Sequence, residues 1–239
     1  MCSQGNRYSF GKFGIVQTIH SGHQVNNCSG LVKSMISKEL LNAFIKEVDK
    51  AWQQFCVWMY SYNKFVEYQK KFNKDPNCIR YKGNIIPGCR YKNFWDICLL
   101  SLQHSFILSV ERLIQPPYFQ GDKKKKRLSV YYILELLEEG ELKAGIKKRL
   151  GEQEDFLKSI KRVRNNRLAH NGLDERVKTV KKGIETFFKN MESSIKEIKQ
   201  EKDLLKSCDN FNCEYVEGLS KTGVDEIFED LNKERKYNL

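Results

Sequence analysis

Apolar side chains recur every three to four residues along most of this chain, the period of a helix that buries one face. The first such stretch carries Leu40, Leu41, Phe44, Ile45, Val48, Trp52, Phe55, Cys56, Met59, Tyr62, Phe65 and Val66. It predicts a long helix that Ser34 can cap and that runs to about Phe72. Its stripe is broad and aromatic, wider than one neighbour requires, so it should serve the core and an interface together. Asp75-Pro76 ends it, and residues 73–92 read as a basic connector marked by Gly and Pro. From about Asn93 to Ile114 the chain is apolar nearly all round, which places that helix at the centre of a bundle. Pro116-Pro117 stops it. Ser129 can then cap a short helix, and Leu142, Ile146 and Leu150 mark another from Glu141, with a break at Gly151.

The next periodic stretch holds Phe156, Leu157, Ile160, Val163 and Leu168 and finishes near Asn171-Gly172, residue types suited to a helix C-terminus. Residues 175–206 predict a further long helix, with Val177, Val180, Ile184, Phe187, Phe188, Met191, Ile195, Ile198 and Leu204 on its apolar side. A looser stretch, residues 207–222, leads to a last short amphipathic helix ending near Arg235. The expected fold class is therefore all-α. Residues 1–30, interrupted by Gly5, Gly11, Gly14, Gly22 and Gly30, form an irregular N-terminal arm. Residues 31–206 form the helical domain, and residues 207–239 a C-terminal extension with a short helix. No internal repeat is visible.

Charge narrows the choice of partner. With 42 Lys and Arg against 30 Asp and Glu, the 239-residue chain carries a net charge of +12. Such an excess suits an anionic partner, nucleic acid being the commonest, although a lysine-rich surface can also arise from compositional bias. Lys123, Lys124, Lys125, Lys126 and Arg127 are five consecutive cations before the short helix. Such runs are most often solvated loops, but this one could track an RNA phosphate backbone. In the 73–92 connector, Arg80, Lys82, Arg90 and Lys92 alternate with Tyr81 and Tyr91, a pattern that could hold single-stranded RNA as readily as it could form a plain loop.

No apolar segment marks a secretion signal and no span of about 18 apolar residues crosses a membrane, so the expectation is a cytoplasmic protein with no membrane partner. The eight Cys form no CxxC pair, which favours reduced thiols. His20, His23 and Cys28 lack a fourth metal ligand, and neither metal nor other cofactor is expected.

One local violation stands out. Projected at about 100° per residue, Arg164 and Arg167 fall inside the apolar arc of their helix, His170 sits at its edge, and Asn165 and Asn166 lie outside it. Charged groups on a buried face cost stability unless they are paired or line a wet cleft, so this face is a candidate site. His170 can act as acid or base near neutral pH, and an Arg can grip a phosphate through two oxygens.

The residues from Arg164-Asn165 through His170 resemble the R-x(4–6)-H motif of HEPN-domain ribonucleases, in the form where a polar residue follows the Arg. The phrase RNNRLAHN is similar to a segment of the AbiU-type abortive-infection branch. So is the order of a central aromatic-led helix ending in Arg112-Leu113, a variable loop, and Leu128-Ser129 opening a short helix. The likeness spans roughly residues 40–175.

The resemblance implies a HEPN-like up-and-down helical bundle and a metal-independent endoribonuclease. RNA would be cleaved by attack of its own 2′-OH, leaving 2′,3′-cyclic phosphate and 5′-OH ends, in phage defence or as a toxin. Arg164, Asn165 and His170 would be catalytic, with Arg167 supporting them. Six residues of regular helix turn by about 600°, which leaves Arg164 and His170 about 120° apart. Either the helix is distorted near His170, or two copies share a composite site; the family implies the second, a homodimer. An antitoxin, an activating ligand or an assembly step would be needed to restrain such an activity.

Three departures from the family pattern concern the supporting residues. Gly172 stands where many relatives carry a modifiable Tyr, Asp174 is displaced by a residue or two, and the acidic or polar helper is unassigned among Asp96, His104 and Glu111. Two other readings stay open: a non-catalytic RNA-binding or scaffolding HEPN module, and an all-helical interaction protein whose Arg and His form a structural network.

Overall fold

The computed structural model describes residues 36–72, 80–81, 84–85, 92–119, 122–167 and 177–237, all within the compact unit Ser34–Leu239. The expected arm of residues 1–30 lies outside them, as do His20, His23 and Cys28. Seven helices are present among the described residues: α1 (Lys38–Phe72), α2 (Lys92–Leu113), α3 (Val130–Leu136), α4 (Glu141–Gly151), α5 (Glu154–Arg167), α6 (Val177–Glu201) and α7 (Cys213–Tyr237). Two small antiparallel hairpins complete them, β1 (Arg80–Tyr81) with β2 (Asn84–Ile85) and β3 (Tyr118–Phe119) with β4 (Asp122–Lys126). The fold is mostly helical. No helix among the described residues is long and apolar enough to cross a membrane.

The centre of the molecule is α1. Leu41, Val48, Ala51, Phe55 and Cys56 are fully buried along it, and it packs against α2, α6 and α7. Its aromatic stripe explains this reach: Trp52 meets Phe188 of α6 at 5.0 Å, while Phe55 and Trp58 meet Phe106 of α2 at 5.5 and 5.0 Å. α5 in turn packs on α2 and α6, so α1, α2, α5 and α6 close a ring of neighbours around one apolar core.

The expectation that α2 sits at the centre is corrected. Phe94 and Ile97 are 59% and 66% exposed: α2 packs on α1 and α5, and its Trp95 stacks on Phe228 of α7 at 4.9 Å, but no described element covers those two side chains. Hydrophobicity all round a helix cannot say which side lacks a partner.

Helix boundaries follow local chemistry. Ser37 caps α1 by accepting from the Leu40 N–H at 3.2 Å, the role expected of Ser34, which lies outside the described residues. Ser129 caps α3 as expected, accepting from Tyr132 N at 3.3 Å. The break at Gly151 is a short joint, Glu152 and Gln153, between α4 and α5. α6 stops at Glu201, short of the expected 206, because Asp203 turns left-handed (φ 53°) and the Leu204 N–H bonds back to the Lys199 carbonyl at 2.7 Å. Buried Lys199 then holds the exit loop, donating to the Cys208 and Asp209 carbonyls and to Asn210 Oδ1.

The last helix is longer than its periodicity suggested: α7 has 25 residues and packs along α1. Trp52 Nε1 donates to the Cys213 carbonyl at 2.9 Å, Tyr60 Oη to Glu217 at 2.6 Å, and Lys64 pairs with Asp225 at 2.7 Å. Residue numbers rise together across these contacts, so the two helices run in the same direction. Ile227, Leu219 and Tyr215 on its outer side hid the stripe from a sequence reading, because they are apolar yet more than half exposed.

Candidate active site

Arg164 and Glu111 make the ion pair that joins α5 to α2. The two sides differ in exposure: the Glu111 side chain is 8% exposed and the Arg164 side chain 36%. Local sequence accounts for the placement. On α5, Phe156, Leu157, Ile160 and Val163 face the core, and Arg164 falls one turn past Ile160 at the edge of that face. On α2, Val110 and Leu113 are buried beside Glu111, which brings its carboxylate to the α5 side. A carboxylate this buried is tolerated because it has a cationic partner with directional N–H groups. In return it fixes the orientation of the guanidinium.

The other motif residues are placed less completely. Asn165 and Arg167 lie in the last described turn of α5, and His170 lies outside the described residues. Among the three candidate helpers, the contact with Arg164 is made by Glu111; Asp96 and His104 are half-buried elsewhere along α2. The sequence alone held the signal for Glu111, one of two acids in an otherwise largely apolar helix, but not the pairing of α2 with α5.

The cationic run is a strand rather than a loop, which is a correction. Lys123, Lys124, Lys125 and Lys126 belong to β4, and Arg127 follows it directly. Lys125 and Lys126 are exposed, and Lys126 Nζ lies 5.4 Å from the centre of the Tyr132 ring. The Arg127 guanidinium stacks over Phe119 at 4.0 Å, and its backbone N–H donates to the Pro117 carbonyl at 2.7 Å. Arg127 therefore fastens the hairpin.

No group of three or more potential metal ligands occurs among the described residues. Cys56, Cys208 and Cys213 are free and buried, Cys98 is free and half-buried, and burial pushes the Cys56 and Cys213 thiols up, away from the nucleophilic thiolate. Thiol chemistry is thus not favoured at these two buried positions. Comparison of the chain with protein-family models, with curated proteins and with solved structures gives no match.

Proposed function

We propose that this chain is an endoribonuclease of the HEPN type, with Arg164, Asn165 and His170 as its catalytic residues and Arg167 in support. The observation that carries the reading is the Arg164–Glu111 pair: a half-exposed guanidinium oriented by a buried acid on the preceding long helix. The motif's resemblance asks for an acidic or polar helper, and Glu111 suits that role. A helical domain in which the motif helix packs on α2 and α6 agrees with a HEPN-like bundle.

In this reading Arg164 stabilises the negative charge that grows on phosphorus, and His170 moves a proton at the attacking 2′-OH or the leaving 5′-oxygen. Asn165 orients the phosphate or the imidazole. The products are a 2′,3′-cyclic phosphate and a 5′-OH, and the reaction needs no metal. Two copies would complete the site. Phage defence or growth arrest is the biological setting, with an antitoxin or an activator as the restraint.

Cleavage by purified wild type, Arg164→Ala and His170→Ala with EDTA present tests the proposal. Wild type alone should cut and leave cyclic-phosphate ends; cleavage surviving in both variants contradicts it. A second reading is favoured by the same contact: Arg164–Glu111 is a structural ion pair in a non-catalytic RNA-binding or interaction module. Folded wild type that binds RNA in a salt-dependent way and never cuts it supports that alternative.

A further inference from the structure

A cavity of about 690 Å³ opens among the segment that follows α2, α3, α4 and the first half of α5, within the size range of sites for small organic ligands. Pro116, Pro117, Tyr131 and Leu157 give it flat and apolar walls. The cations at it are Lys143, Lys147 and Lys161, and the acids are Glu135 and Glu154. Lys143 is committed to the fold, since it is buried and its Nζ donates to the Leu137 carbonyl at 3.0 Å and pairs with Glu139 at 2.7 Å. Lys147 and Lys161 are exposed, and Lys147 stands 3.9 Å from the exposed Glu139. The wall formed by α4 is anchored, because Arg149 holds Glu197 of α6 through two nitrogens at 2.9 and 2.6 Å. Burial and the charge of Glu154 push the Tyr131 hydroxyl up, which keeps it a protonated donor.

This combination selects among ligands. Flat ring surfaces suit an aromatic system and the two exposed ammoniums take an anion; Glu135 already accepts from the Tyr118 hydroxyl and Glu154 pairs with Lys158 at 2.9 Å, so it is their remaining lone pairs that accept from amino groups. Inorganic phosphate lacks the ring, and a fatty acid lacks the donors. A nucleotide has all three. The cavity's position adds a second argument. Lys161 precedes Arg164 by three residues of α5, an advance of about 4.5 Å, and Ile114 follows Glu111 by three residues at the end of α2.

We propose that this cavity seats a nucleotide, its base against Pro116, Pro117 and Tyr131 and its phosphate at Lys147 and Lys161. The nucleotide can come from solution or be splayed from a single RNA strand. The second source rests on the ribonuclease reading, because Arg164 would then hold the neighbouring phosphate.

Calorimetric titration of the full chain with AMP, with inorganic phosphate, and with an adenine trinucleotide made uncleavable by 2′-O-methylation tests the proposal. AMP should bind and phosphate alone should not. Gly151 lines the cavity and a Cβ there meets nothing within 4 Å, so Gly151→Phe can fill the space without a clash in the fold. It should weaken AMP roughly tenfold or more, the loss expected from displacing one stacked base. The surface pair Lys147→Ala/Lys161→Ala should weaken AMP as well, independently of that filling. A trinucleotide that binds tighter than AMP and competes with it assigns the cavity to RNA; AMP binding without that competition assigns it to a free nucleotide. Failure of both probes at millimolar concentration, equal binding of phosphate, or AMP affinity unmoved in both the Gly151 and lysine variants overturns the proposal. AMP binding by a chain that cleaves no RNA retires the ribonuclease reading and leaves the cavity assignment standing.

Discussion

The seam between α1 and α7 and the seam between α2 and α5 both join distant parts of the chain, but they do so by different means. Along α1–α7, Val216, Val224 and Phe228 bury an apolar strip, and the polar contacts of Trp52, Tyr60 and Lys64 lie along it. Along α2–α5, the apolar strip ends in Glu111, a buried carboxylate that depends on the half-exposed Arg164. An apolar pair of similar volume would hold two helices at least as well as such an ion pair. The first seam therefore explains itself as structure, whereas the second retains a feature that stability alone does not require. That difference is what marks α2–α5 as the place to look for function.

The largest effect should come from the core that both seams share. Phe188 is fully buried against Trp52, Phe187 and Phe211, and Phe188→Ala should cost about 3–5 kcal/mol, measured by urea unfolding. A loss as small as that of a surface substitution would mean that the ring formed by α1, α2, α5 and α6 is wrongly drawn.

Arg164→Ala strands the buried Glu111. With Arg164 partly solvated, the cost should fall below the buried-pair range, to about 1–3 kcal/mol. Replacing both partners, Arg164→Met with Glu111→Leu, should restore most of that loss. If the double variant is no more stable than the single, the pair is a structural necessity and the contrast between the seams fails.

Gly183→Ala probes how closely α5 lies on α6. A Cβ at Gly183 would sit 2.3 Å from the Phe156 ring, so the expected loss is about 1–2 kcal/mol despite the gain in helix propensity. Unchanged or raised stability would show that Phe156 can swing away.

The smallest change belongs to the α1–α7 seam. Tyr60→Phe removes one hydrogen bond to the partly solvated Glu217, worth about 1 kcal/mol at neutral pH. Burial, and then the bond to Glu217, push the Tyr60 hydroxyl above the ordinary tyrosine range. Its folded value exceeds its unfolded one, so its stabilisation is full below about pH 10 and is lost as pH rises beyond that. Wild type should lose stability above that pH more steeply than Tyr60→Phe; parallel slopes would contradict the assignment.

Much of the helical pattern was legible because a 3.6-residue period leaves a trace wherever one face is buried. The stripe of α1, the cap at Ser129 and the stop at Pro116-Pro117 could be read from residue types. Other features depend on tertiary partners that no local period reports. The open face of α2 at Phe94 and Ile97 looks no different in sequence from a buried one. Lys123–Lys126 entered a strand because Tyr118 and Phe119 pair with it, against what charge alone suggested. At the candidate site, Arg164 was visible as a cation on an apolar face. Glu111, which lies 53 residues earlier, became its partner only once the helices were packed.

The decisive measurement is RNA cleavage by wild type and by Arg164→Met/Glu111→Leu, each with its unfolding curve recorded and EDTA present. If the pair serves a ribonuclease site, the double variant stays folded with stability near wild type and loses cleavage, while wild type leaves cyclic-phosphate ends. Wild-type cleavage retained in the folded double variant would contradict the assignment, and would return Arg164 and Glu111 to the structural contacts of the bundle.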